Sequence, residues 1–278
     1  MKVLQGQLMK LKKERIYKLF FISLFTVAFL ASSLVLSETF YSDEIKSELY
    51  KKEVNNLILL RPDHISERHR FFSAAFLGKP YRSNTLKGNT TNKEVLVINL
   101  DAMDCFTYLD YTHSLIRADN YYDFINILKN VRYKDGIVSY KNRNHFFYNW
   151  LENVNGIVDV TSQISLDNAN VVLKYLNLKA NNELYLDGIK VKKAKIYYLK
   201  PEFINADNLE NFKSGDYIGI YSNKKGLDVS HIGILIVSDG NYIFRHASSI
   251  DGIDKVVDMN FIEYIKGKPG IIVYRNKL

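Results

Sequence analysis

The sequence predicts an α+β protein, with helices in its first half and an antiparallel sheet in its second. Three observations lead there. Apolar residues recur at helical spacing through 42–60 and again through 65–77. From Ile137 strand and turn signals mix, and residues 157–200 alternate short β-like runs with Asn-, Lys- and Asp-rich turns. Near the end, GLDVSHIGILIVSDGNYIFRHASS sets two apolar runs around an Asp-Gly turn, a strong hairpin signal. Helices first and strands later, without strict alternation, fit this class.

Taken in order, the chain opens on a targeting segment, residues 1–37. Lys2, Lys10, Lys12, Lys13, Arg15 and Lys18 precede an apolar run of 18 residues from Leu19 to Leu36. That length suits either a long signal peptide or a spanning anchor. The remainder is expected outside the cytoplasmic membrane, in the periplasm or cell envelope, and tied to the membrane if the segment stays uncleaved. No cysteine follows the run, so a lipidated N-terminus is not expected. A helical region occupies 38–94, with Ser42 or Asp43 capping its first helix and Gly78 and Pro80 ending its second. The main domain, 95–278, starts with a strand, Val95–Leu100, followed by a short loop and helices at about 105–116 and 121–130. A peripheral insertion fills about 137–205. Strands at 217–221 and on both sides of Asp239-Gly240 follow, then a helix at 260–265 and a strand at 270–275.

Charge limits the function. Residues 1–37 hold six basic side chains and one acid, +5 of the net +8. The exported part is nearly balanced, so no nucleic-acid partner is expected. The single cysteine, Cys105, cannot form an internal disulfide, so stability must come from the core.

Cys105 stands where the first strand gives way to a helix. The first turn of a helix offers unpaired N–H groups that favour a thiolate and can receive an oxyanion. Asp104 is placed to cap that helix. If Asp239 and Gly240 form a two-residue turn, Val237 faces Tyr242 and Gly233 faces His246. His231 and His246 then become diagonal neighbours on one sheet face, at the end of the apolar strip Leu235, Val237, Tyr242 and Phe244. A thiol, a basic imidazole and a second group that orients the imidazole make up the logic of cysteine hydrolases. His231 is the base in this reading and His246 the orienter. A Cys-His-His set is also a zinc donor set, but spacing supplies no further ligand, and neither a metal nor another cofactor is expected.

DCFTYLD, SGDYIGIY, SHIGILI and FRHASS resemble, in order, the four motifs of NlpC-type cysteine peptidoglycan hydrolases, a papain-like fold. DGIVSYKNRNHFFYNWLEN and GLDVSHIGI resemble the N-acetylmuramoyl-L-alanine amidase-like branch. The resemblance covers most of residues 45–278. It implies an antiparallel sheet with the catalytic helix packed on it, an added N-terminal helical part, and Cys105, His231 and His246 as catalytic residues. The implied reaction cleaves the amide between N-acetylmuramic acid and L-alanine in muropeptides. Phe106 replaces an expected small hydroxylated residue, and Asp110 an expected glutamate.

Substrate-contact candidates are Asp104, Thr107, Arg143, His145, Asp228 and Ser230. Arginine suits a carboxylate bidentately, and muropeptides carry carboxylates. The plainer reading makes Arg143 a solvated loop charge, Trp150 core packing, Asp228 and Ser230 turn residues, and His64, His69 and His113 surface or helix residues. Competing functions are an endopeptidase cutting the stem peptide after D-Glu, and a non-catalytic wall-binding or interaction module.

Overall fold

Residues 45–277 are described in the computed structural model. The chain divides into two units, Met1–Lys52 and Glu53–Leu278. In the first, residues 45–52 are helical. The apolar run Leu19–Leu36 lies outside the described residues. Among those that are described, no helix is long and apolar enough to cross a membrane.

The second unit begins with α1 (residues 53–59) and α2 (Ile65–Ala74). After an irregular stretch come α3 (Cys105–Arg117) and α4 (Tyr121–Arg132). Residues 137–205 supply α5 (Phe147–Asn153), β1 (Ile157–Asp159), α6 (Thr161–Ile164), β2 (Ala169–Leu176) and β3 (Lys192–Leu199). The chain closes with α7 (Ala206–Leu209), β4 (Tyr217–Tyr221), β5 (Val229–Ser238), β6 (Asn241–Ala247), β7 (Val256–Asn260), α8 (Phe261–Ile265) and β8 (Ile271–Asn276). One antiparallel sheet runs β2-β3-β8-β4-β5-β6-β7, with β1 also paired to β8.

The hairpin register follows its turn. Asp239 and Gly240 both have positive φ, 51° and 75°, as a type I′ turn requires. Ser238 pairs with Asn241 and Val237 with Tyr242, as the Asp-Gly position implies. Period-two alternation then gives the sheet two different faces. Ile218, Ile220, Leu235, Phe244, Ile271 and Val273 meet Phe212, Phe261 and Ile265 on one. Tyr217 belongs to the other, where its hydroxyl lies 2.9 Å from Nδ1 of His113 on α3. His231 is opposite Ile220 and shares the first face, while α3 packs on the second.

The expected strand Val95–Leu100 does not form. Side chains from α3 and α4 take its backbone groups instead of a neighbouring strand. Tyr111 Oη accepts from the Asn99 N–H at 2.9 Å, and Arg132 Nη1 donates to the Val97 carbonyl at 2.6 Å. His69 and His113, expected at the surface or on helices, are buried helix residues.

Candidate active site

Helix α3 starts with a capping box that leaves the thiol a specific set of N–H groups. Asp104 Oδ1 accepts from the Thr107 N–H at 2.8 Å, and Thr107 Oγ1 accepts from the Asp104 N–H at 2.9 Å. The Tyr108 N–H is taken by the Asp104 carbonyl. The N–H groups of Cys105 and Phe106 remain, and both face the Cys105 sulfur. A third comes from the sheet. Pairing of β5 with β6 stops at Ile234–Arg245, and beyond that point the Ile232 N–H is directed at the sulfur. The helix on one face thus delivers its thiol to the place where the two strands separate.

The histidines meet from the opposite face. His231 Nε2 lies 2.7 Å from His246 Nδ1, with the rings nearly perpendicular at 86°. His246 Nε2 lies 3.5 Å from Met259 Sδ. A thioether only accepts hydrogen bonds, so His246 carries its proton on Nε2 and accepts on Nδ1. His231 must then donate through Nε2–H, which leaves a lone pair on its Nδ1. A β-bulge between Ile220 and Tyr221 precedes this position and turns Ser230 out to solvent. Gly233 has no side chain, and the space beside it goes to Phe244. A Cβ at Gly233 would stand 2.5 Å from that ring, which itself stacks on His246 at 4.8 Å.

Electrostatics set a neutral resting state. Burial, then the Asp104 carboxylate, pushes the Cys105 thiol up to about 12 despite the three N–H groups. Burial, then His246 and Lys268, lowers His231 to about 3. Burial lowers His246 to about 4. Desolvation therefore outweighs the helix start, and the expected preformed thiolate is replaced by a neutral thiol. Cys105 as a residue is nonetheless only partly buried.

The other candidates are dispersed. Asp104 and Thr107 are joined to each other in the cap. Arg143 is committed internally: Nε and Nη2 clamp Glu94 at 3.0 and 2.5 Å, and Nη2 also reaches the carbonyls of Lys87 and Gly88. His145 Nε2 lies 2.8 Å from the Tyr140 carbonyl, and burial lowers its pKa to about 4. Arg143 and His145 line a cavity whose wall includes neither Cys105 nor the two paired histidines. Asp228 is buried and accepts from the Tyr148 N–H at 2.7 Å, tying the start of α5 to the start of β5. Ser230 Oγ donates to the Ile220 carbonyl at 3.4 Å.

Sequence reasoning missed three site residues. Tyr264 on α8 lies 4.9 Å from the His246 ring and 6.4 Å from that of His231. Tyr81, close enough to feel Cys105 and Asp104, belongs to a strap. That strap bonds Asp254 on one side and Met103 on the other, two residues before the thiol. Met259 sets the histidine tautomers. Each contact joins segments far apart in the chain, so no local pattern announces it. Among the described residues, no group of three or more His, Cys, Asp or Glu could hold a metal ion.

Solved structures share this architecture. A Legionella pneumophila protein of the DUF1460 family model aligns with a TM-score of 0.70 at 23% identity, over 84% of this chain and 96% of that one. At this identity it speaks for the fold alone. An N-acetylmuramoyl-L-alanine amidase from Bacteroides uniformis aligns with a TM-score of 0.63 at 28% identity, over 77% and 99%. A Bacteroides fragilis structure described as a putative xylanase gives 0.58 at 28%, over 73% and 99%. No curated protein matches the chain. The family model described as AmiA-like, N-acetylmuramoyl-L-alanine amidase-like, matches residues 71–271, which include Cys105 and both paired histidines. With most of its length inside that match, the chain belongs to the AmiA-like, N-acetylmuramoyl-L-alanine amidase-like family of peptidoglycan hydrolases.

Proposed function

We propose that this protein is a papain-like cysteine amidase of NlpC type. It hydrolyses the bond between N-acetylmuramic acid and L-alanine in muropeptides outside the cytoplasmic membrane. The observation that carries the reading is the 2.7 Å contact between His231 Nε2 and His246 Nδ1, together with the sulfur of Cys105 against the Ile232 amide beside it.

The chemistry follows from the resting state. Cys105 Sγ attacks the lactyl carbonyl carbon, and His231 Nδ1 takes the thiol proton as the S–C bond forms, because neither group is charged beforehand. His246 accepts from His231 Nε2–H, which holds the imidazole in its basic tautomer. The N–H groups at the start of α3 receive the oxyanion. His231 returns the proton to the L-alanine nitrogen, and the C–N bond breaks. Water then adds to the thioester, delivering hydroxyl to the carbonyl and a proton back to sulfur. No cofactor takes part in these steps.

Incubating the protein with a purified disaccharide-tetrapeptide and weighing the products tests the assignment. A free peptide headed by L-alanine, together with the intact disaccharide acid, is expected. Release of a fragment that starts at the third stem residue identifies an endopeptidase and overturns the amidase reading.

A further inference from the structure

The cavity lined by Arg143 and His145 has a volume of about 710 Å³ and a strongly cationic wall. Lys134, Lys141, Lys190, Lys192 and Lys193 line it together with Arg143, and no aspartate or glutamate does. Two of these six cations are neutralised from outside the wall, Arg143 by Glu94 and Lys192 by Glu152. His145 adds no charge at neutral pH, because burial holds it near 4. Four lysines, at 134, 141, 190 and 193, are left exposed with no acidic partner among the described residues. The acids adjoining them in sequence, Asp135 and Asp187, do not line the cavity. Asn142 and Asn149 add amide groups to the wall, and Phe146, Ile189 and Val191 give it an apolar surface.

Like charges gathered in a concavity repel one another, and the low-dielectric walls focus their field. Counter-charge from a ligand relieves both. A flat anionic surface could reach only the rim, whereas a small ligand can enter the cavity that the four lysines line. From this geometry we infer that the cavity is a binding site for a small, multiply charged anion carrying phosphate or carboxylate groups. The site is separate from Cys105 and independent of the amidase reading. The four lysines come from two segments, 134–141 and 190–193, that are far apart in the chain, so the cluster exists only in the fold.

The test is a titration of the folded protein with inorganic pyrophosphate and with citrate, followed by NMR, against the quadruple variant K134Q/K141Q/K190Q/K193Q. Saturable shifts at residues 134, 141–145 and 188–193 are expected, with affinity falling at least about tenfold in the variant. Response to pyrophosphate alone assigns phosphate, and response to citrate alone assigns carboxylate. Removing the mutual repulsion should leave the variant's melting temperature equal to or above that of the parent, which separates lost binding from lost folding. Three results overturn the inference: no saturable response to either anion, an unchanged affinity in the variant, or binding to vesicles of anionic lipid without a response to the small anions.

Discussion

Arg143 shows how one residue can look functional in sequence and be structural in the fold. Its guanidinium has the fork that fits a carboxylate, and a carboxylate occupies it, but that carboxylate is the buried Glu94. Tyr133 Oη donates to the same glutamate at 2.8 Å. Arg143→Met should therefore destabilise the protein by about 3 kcal/mol, because it leaves an uncompensated buried charge. Thermal unfolding checks this, and the double change R143M/E94Q should recover part of the loss. The KM for muropeptides should stay near that of the parent. Asp104 is the converse case, since its capping role was legible from its position before the helix and both hydrogen bonds of the box are present. The state of the thiol was not legible, because helix-start stabilisation is a local property and desolvation comes from distant segments.

At the scale of elements, the β5–β6 hairpin was the most readable part of the chain. Two turn residues set its register, and the register brings the histidines together. The point where the ladder stops was not readable. It depends on the bulge at Ser230 and on β7 pairing with His246 and Ala247. Gly233 ties this geometry to packing. Gly233→Ala would drive a Cβ to within 2.5–2.6 Å of two Phe244 ring carbons and 2.8 Å of the Arg245 carbonyl. A loss of about 1–3 kcal/mol is expected, as for overpacked cores. Activity should fall too, because the displaced ring stacks on His246. Denaturant melts and turnover measured on the same sample check both effects. The segment Val95–Leu100 was misread for a related reason. Its apolar pattern fits a strand, but Tyr111 and Arg132 satisfy its backbone from the side.

For the whole molecule, histidine burial governs the response to acid. Of the six histidines in the sequence, five have lowered pKa values, chiefly through desolvation. Their folded values lie below the unfolded value of about 6.5, so the unfolded chain binds more protons in between. Stability is therefore complete above about pH 6.5 and is lost as pH falls toward 4, by about 1.4 kcal/mol per pH unit for each histidine held neutral. Burial raises the carboxyls of Asp110, Asp159, Asp216 and Asp228, which offsets part of this loss. The melting temperature should drop steadily from pH 7 to pH 5. A flat profile across that range would mean that the imidazoles are more hydrated than their burial implies. The α+β class was readable at this scale from the order of helical and strand signals. The strand order was not, because β8, last in the chain, lies between β3 and β4.

The most direct measurement compares turnover of a defined muropeptide by the parent, Cys105→Ala and His246→Ala under identical conditions. Cys105→Ala should abolish release of the L-alanine-headed peptide. His246→Ala should lower kcat by about 10²-fold or more while KM moves little, since an orienting group acts in the transition state. Undiminished turnover by Cys105→Ala would contradict the account.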